Sequence, residues 1–259
     1  MPFQSLMRYR NYGFLLSNLI LRDFRIRYRN MSLGVFWSLL NPLVMMAVLT
    51  FIFTKVFKSG IPNFHVFVLC GIIPFNFFAV TWVSGTVSIY GSAGLVKKVI
   101  LPREVLPIST VLASCIHFLI QIALLLAVVL WAGYKVNLYW LLLPVVFGLE
   151  VVFVCGLSLI SSALDVYFRD VRYVVESANT VLFWLVPIFY DFTMVPYRFH
   201  ELYQYNPIAA VVLACRHILM EAKAPPPMLL YKMAFVSVFV LAAGLLVFWR
   251  LKRKFADYL

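Results

Sequence analysis

The chain has 259 residues, of which 64% are hydrophobic, 17% aromatic and only 12% charged, with a net charge of +12. A soluble domain carries roughly half apolar and about a quarter charged residues, so lipid is the solvent for most of this chain. The basic excess does not point to nucleic acid, because Lys and Arg are spread between apolar stretches instead of collecting on one soluble module.

Residues 1–32 read as amphipathic rather than spanning. Leu16, Ile20, Phe24 and Tyr28 recur every fourth residue, while Asn18, Arg22, Arg25 and Arg29 take the other side. Such a helix lies in the headgroup plane of an anionic leaflet, or folds as an arm on a soluble partner. Its apolar patch, 14–21, is too short to span and runs into arginines instead of a small-residue cleavage site, so it is not read as a signal peptide.

Six stretches then follow, at about 33–56, 64–90, 104–131, 138–164, 173–190 and 228–249. Each is long enough for a helix to cross about 30 Å of hydrocarbon, which takes roughly 17–25 residues. Pro42, Pro74, Pro144 and Pro187 fall inside them; lipid tolerates this where neighbouring helices satisfy the freed carbonyls. Residues 191–227 form the one long exterior segment, too short in its apolar run Ile208–Cys215 to cross and return. It is read as a pair of short helices dipping into the outer leaflet, with a plain folded loop as the alternative. The expected fold is therefore all-α: one polytopic domain over 1–259 with six spans and no room for a soluble catalytic domain.

Orientation follows from charge. With both termini cytoplasmic, that side collects Arg8, Arg10, Arg22, Arg25, Arg27 and Arg29, then Lys97, Lys98 and Arg103, then Arg169 and Arg172, and finally Arg250, Lys252, Arg253 and Lys254. These are most of the 22 basic residues, as the positive-inside rule requires. Near the fourth span's end, Asp165, Arg169, Asp170 and Arg172 offer opposite charges that could stitch it to the fifth.

Catalytic signatures are missing. The sequence has no G-x-x-x-x-G-K-[ST], no H-E-x-x-H and no D-x-D pair, and its four histidines and four cysteines are scattered. No cofactor or metal is expected on this chain, and energy for uphill movement must come from another one. The interval between spans two and three carries a positive sign. Gly94-Leu-Val-Lys-Lys-Val-Ile-Leu-Pro102 reads as a two-turn amphipathic helix bounded by Gly and Pro. A short rigid helix there is what a partner's groove can grip; the other reading is an interfacial turn with Lys97 and Lys98 on lipid phosphates.

The L-V-K-K-V-x-L-P-R-E-V-L-P string over 95–107 resembles the coupling segment of polysaccharide-exporting ATP-binding-cassette permeases, the membrane subunits that export O-antigen, capsule or teichoic acid. The Arg-rich entry Leu21–Arg29, Leu33-Gly-x-x-Trp-x-x-Leu-x-Pro42, Tyr167-Phe-Arg-Asp-Val171, and Asn206-Pro207 with Arg216 agree in order along the whole chain. The resemblance implies a homodimer of six-span subunits in the bacterial cytoplasmic membrane, docked on two copies of a cytoplasmic ATPase that holds ATP and Mg. It implies that Leu95, Val96, Lys97, Lys98, Val99, Ile100 and Leu101 form the coupling helix within 94–103. It further implies that residues 1 to about 30 form an interface helix and that the exterior segment is a re-entrant periplasmic pair. A channel between the subunits would conduct a lipid-linked polysaccharide.

Aromatic faces grip sugar rings weakly, as a sliding polymer requires. Phe36, Trp37 and Phe51 in the first span, and Phe183, Trp184 and Tyr190 in the fifth, are the candidates; interfacial belt and lipid-facing packing are the alternatives. Arg22, Arg25, Arg27 and Arg29 either receive a lipid diphosphate or anchor the helix to anionic lipid. Glu150, the one carboxylate deep in a span, faces channel, dimer interface or an internal partner. Other readings of the chain are a permease for a small amphipathic drug or haem, and a membrane-embedded acyl- or glycosyltransferase.

Overall fold

The computed structural model describes residues 2–28, 36–98 and 102–258, which fold into helices and connecting turns with no strand among them. In chain order these are α1 (Pro2–Tyr28), α2 (Phe36–Phe51, running on as a π-helical turn through Val56), α3 (Phe64–Thr86), α4 (Ser88–Gly91), α5 (Ala93–Lys98) and α6 (Val105–Trp131). They continue with α7 (Leu143–Asp165, entered through the 3₁₀ turn Leu138–Leu142), α8 (Val171–Leu185), α9 (His200–Tyr205), α10 (Pro207–Leu219), α11 (Pro227–Leu251) and α12 (Phe255–Tyr258).

Among the described residues five helices are long and apolar enough to cross a membrane: α2 with its π turn, α3, α6, α7 with its 3₁₀ entry, and α11. The stretch expected as a fifth span out of six falls short of that length. Its helix α8 has 15 residues, about 22 Å of rise. The chain leaves the helix at Val186, whose ψ of 135° is extended. Pro187 is the cause, because a proline ring clashes with a helical residue before it.

α3 is the axis of the bundle, with 72% of its apolar window buried, against 6% for α2. α2 therefore lies at the edge and leaves most of its surface for lipid or another chain. The closest helix crossing joins α7 to α11. Gly156 and Gly244 face each other there, and a Cβ on Gly156 would come within 2.6 Å of the Leu241 nitrogen. On its other side α7 meets α3 through Ser158, which packs against Gly85, and through Ser161, which accepts from Thr86 Oγ1 at 2.8 Å. Small residues are what let helix backbones approach in lipid, where no hydrophobic force drives them together.

The bundle has two chemically different ends. At the end holding the C terminus, Lys252 pairs with Glu104 at 3.3 Å, and Arg103 Nη1 donates to the Lys252 carbonyl at 2.9 Å. Tyr167 donates to the Leu251 carbonyl at 2.8 Å, and the Arg169 guanidinium stacks 4.9 Å from the Tyr90 ring. Arg172 pairs with Glu176 within α8, at 2.8 Å. Asp165, the last residue of α7, accepts a hydrogen bond from the Arg172 backbone amide in the first turn of α8, so the α7–α8 corner is stitched within itself as well as tied to α4 and the C-terminal segment. At the opposite end α10 plugs the bundle, with all but one of its 13 residues buried. Asn206 Oδ1 caps its Ile208 amide at 3.1 Å and Pro207 opens its first turn, the residue types that helix starts favour.

Candidate functional site

Two grooves lie side by side on the exposed flank of the bundle. One, of about 310 Å³, runs between α2, α3 and α8 and is lined by Asn41, Met45, Phe75, Asn76, Asn179, Thr180 and Phe183. The other, of about 440 Å³, lies between α2, α3 and α6 and is lined by Trp37, Ser38, Thr81, Ser84, Ser114, His117 and Gln121 together with the same Asn41 and Asn76. Asn41 and Asn76 join them into one polar surface.

The amides are held in place. Asn179 Nδ2 donates to the Ala79 carbonyl at 3.2 Å, leaving its Oδ1 unpartnered among the described residues. Gln121 Nε2 donates to the Ser38 carbonyl at 2.9 Å and so binds the start of α2 to α6. Amides and hydroxyls at span depth are costly against hydrocarbon, so this face is built for water, a polar cargo or another chain.

Aromatic rings continue the first groove toward the α10 end. Phe75 and Phe183 meet edge to face at 5.4 Å, and Phe183 lies 5.9 Å from Phe189. Phe189 in turn touches Trp184 and Phe53, each at 5.3 Å. Of the aromatics singled out in the sequence, Phe36, Trp37, Phe51 and Trp184 are exposed, whereas Phe183 and Tyr190 are half-buried. Tyr190 donates to the Leu185 carbonyl at 2.6 Å, which closes the bend after α8. Trp37 and Phe183 thus line the grooves, while Trp184 stands beside them against Phe183 and Phe189.

Glu150 lies elsewhere. It is 0% exposed on α7, lines neither groove, and neither carboxylate oxygen meets a partner among the described residues. Sequence reasoning passed over Asn76, Asn179 and Thr180. The signal was there: a side-chain amide in the middle of an apolar run needs a polar neighbour.

The basic helix α1 packs along α6. Leu19 is buried against Val105 and Leu106, with Leu15, Leu16, Leu95 and Val96 around them. Phe24 stacks on His117 at 5.3 Å, and Thr110 donates to Asp23 Oδ2 at 3.1 Å. Arg22 binds Asp23 at 2.8 Å and reaches Ser92 at 3.4 Å, so its charge is already engaged. Arg25 is exposed beside Asn18 and Ile26 on a shallow cavity. The Arg27 side chain and Arg29 lie outside the described residues.

α5 covers the first part of the segment expected to couple to a partner. Leu95 and Val96 are half-buried and turn toward α1 and α6. The side chains of Lys97 and Lys98, and residues Val99, Ile100 and Leu101 altogether, lie outside the described residues. α1, α5 and the start of α6 thus form one packed unit at the C-terminal end of the bundle.

Comparison with known proteins gives a consistent result. Residues 15–220 match the family model for the ABC-2 type transporter. The chain is 32% identical over 98% of both lengths to the O-antigen export system permease protein RfbA of Klebsiella pneumoniae. It is 30% identical, over 98% of its own length and 97% of the other's, to the protein of the same name from Myxococcus xanthus. Similarity extends at 27% identity, over 89% and 90% of the two lengths, to the polysialic acid transport protein KpsM of Escherichia coli.

Proposed function

The chain belongs to the ABC-2 type transporter family, and from that premise we propose that it is the permease subunit of an ATP-driven exporter of a lipid-linked polysaccharide of the O-antigen type. ATP hydrolysis resides in a separate partner subunit, and this chain is a transport subunit rather than an enzyme.

The observation that carries the reading is the polar surface shared by Asn41 and Asn76 between α2, α3, α6 and α8. Its amides and hydroxyls exchange hydrogen bonds with sugar hydroxyls in either direction, and the adjoining rings of Phe75, Phe183 and Trp184 offer flat apolar faces. In a homodimer two such surfaces would face each other and enclose a channel away from lipid. Many weak contacts suit conduction better than one strong site. Among the candidate lining residues we retain Phe36, Trp37, Phe51, Phe183, Trp184 and Tyr190; Glu150, wholly buried in α7, is left out.

The finer topology belongs to this proposal. α8 and its bend to Tyr190 serve as the fifth of six crossings, with the bilayer thinned around them as a short apolar segment requires. α9 and α10 form a re-entrant pair on the outer side. Both termini are cytoplasmic, which puts the basic C-terminal end of the bundle inside. The site is the bacterial cytoplasmic membrane. There α1 lies along the interface, and α5, with the residues up to Leu101, couples to two copies of the ATPase. Because Leu95 and Val96 are packed on α1 and on the start of α6, a push on α5 moves the entry helix and the third crossing together. Arg25, Arg27 and Arg29 then meet the lipid headgroup as it enters.

The test is reconstitution. The chain co-purified with its ATPase, in proteoliposomes carrying lipid-linked glycan, should hydrolyse ATP faster with glycan present and move glycan into the lumen of inverted vesicles. Transport by the chain with no ATPase present would overturn the reading, as would glycosyl or acyl transfer by the purified chain.

A further inference from the structure

Among the described residues, two joints hold the segment that carries α5. At its near end Arg22 Nη2 reaches Ser92 at 3.4 Å, and Leu95 and Val96 pack against α1 and the start of α6. At its far end Arg103 and Glu104, just ahead of α6, meet the 3₁₀ turn Lys252–Lys254 that follows α11. Residues 99–101, between the two joints, lie outside the described residues.

The far joint is built on the end of α11. The last carbonyls of a helix have no partner inside it. Here the Leu251 carbonyl accepts from the Tyr167 hydroxyl at 2.8 Å, and the Lys252 carbonyl accepts from Arg103 Nη1 at 2.9 Å. Side chains from two distant parts of the chain therefore close the helix. Lys252 Nζ lies 3.3 Å from Glu104 Oε1. Past the turn, Phe255 is fully buried in a cluster with Ile89, Leu159, Ala163, Val166 and Phe248. Phe248 and Tyr167 meet its ring edge to face at 5.6 Å and 6.0 Å, and the Arg103 guanidinium lies 5.7 Å from its centre. One cluster thus joins α4, α7 and α11 beside the residues that lead into α6.

The polar half of this joint supplies position more than stability. The Glu104 and Lys252 side chains are 23% and 29% exposed, and ion pairs that water can reach add little to stability. Burial of Phe255 holds the turn down, while the pair sets where Arg103 and Glu104 sit against α11. α11 is in turn locked to α7 at backbone contact, Gly156 against Gly244, so those two helices move as one body. A displacement entering residues 94–103 therefore has two outlets. The near joint leads to α1 and α6, and the far joint leads to α7 and α11, because packed elements pass displacements on as rigid-body shifts.

We propose that the turn after α11 is a second arm of the coupling linkage, with Glu104 and Lys252 as positioning residues that carry a partner's push to the α7–α11 pair. The inference rests on the reading that an ATPase acts on residues 94–103, and adds to it a route that bypasses α1. Both arms must be intact for hydrolysis to move cargo.

The test uses the complete transporter complex in proteoliposomes, with lipid-linked glycan extracted from the producing cell. Wild type is compared with Glu104→Lys, with Lys252→Glu and with the exchange of both. Each single change sets like charges against each other and should lower the glycan moved per ATP hydrolysed by about fivefold, while hydrolysis itself continues. The exchange restores opposite charges and should recover most of the wild-type ratio. Where a reversed charge prevents insertion, Glu104→Gln and Lys252→Gln drop the pair without repulsion and should lower the ratio in the same direction. A ratio unchanged in the single variants would overturn the second arm and leave the export reading standing. So would hydrolysis and export falling in step with the melting temperature, the mark of a merely structural contact, or a ratio that stays low in the exchange. A wild-type complex whose hydrolysis ignores glycan would overturn both.

Discussion

Gly156 and Gly148 sit two turns apart on the same helix, and replacing each with Ala should have opposite effects. At Gly148 nothing lies within 4 Å of an added Cβ, so the change gains only helix propensity, up to about 1 kcal/mol. At Gly156 the new carbon would lie 2.6 Å from Leu241 N and 2.7 Å from Leu241 Cα, where ordinary contact begins at 3.4 Å. Both are backbone atoms, which no rotamer change can move aside. α7 and α11 must therefore separate by about 0.8 Å, the difference between 3.4 Å and 2.6 Å. Overpacking of this kind costs roughly 1–3 kcal/mol, and the α7–α11 seam has the most extensive contact in the bundle. At roughly 2–4 °C per kcal/mol for a chain of this size, Gly156→Ala should melt several degrees below wild type. Gly148→Ala should melt level with it or slightly above. Thermal unfolding of both variants in the same detergent, followed by size exclusion, makes the comparison. Equal shifts in the two variants would refute the claim that backbone contact between α7 and α11 sets the seam.

Three further outcomes follow from the geometry. Glu150→Leu should keep or raise the melting temperature and preserve export, because it removes a buried polar group whose unmet hydrogen bonds cost about 1–3 kcal/mol; a fall of several degrees would mean that the carboxylate has a partner. Leu95→Asp should leave the chain inserted while ATP hydrolysis by the complex loses its link to export, and α1 should become easier for trypsin to cut near Arg25; unchanged export would remove α5 from the coupling path. Asn41→Leu combined with Asn179→Leu should be tolerated in lipid but slow export by roughly tenfold, the worth of one or two hydrogen bonds; full export in that double variant would show that the cargo takes another route.

Hydropathy alone marked out five membrane-length helices to within a few residues, because burial in lipid leaves little else that such runs can do. Asn206-Pro207 likewise marked the start of α10, since side-chain capping and a proline first turn are local chemistry. The early end of α8 was local too. Pro187 was visible in the sequence, but the apolar run past it looked continuous, and hydropathy does not register a lost helical conformation.

Other features needed the fold. Asn41, Asn76 and Asn179 lie on three different helices and became a site only when α2 and α8 packed on opposite flanks of α3. Arg216 directly follows the exterior run Ile208–Cys215 in sequence, yet α10 carried it into the bundle, where two of its nitrogens have no partner among the described residues. Composition and charge order determined that this chain lives in lipid and spans it repeatedly, because transfer free energy is summed residue by residue along the sequence. Which faces became polar, and which charges were left unpaired, was decided only by tertiary packing, because those quantities depend on neighbours far apart in the chain.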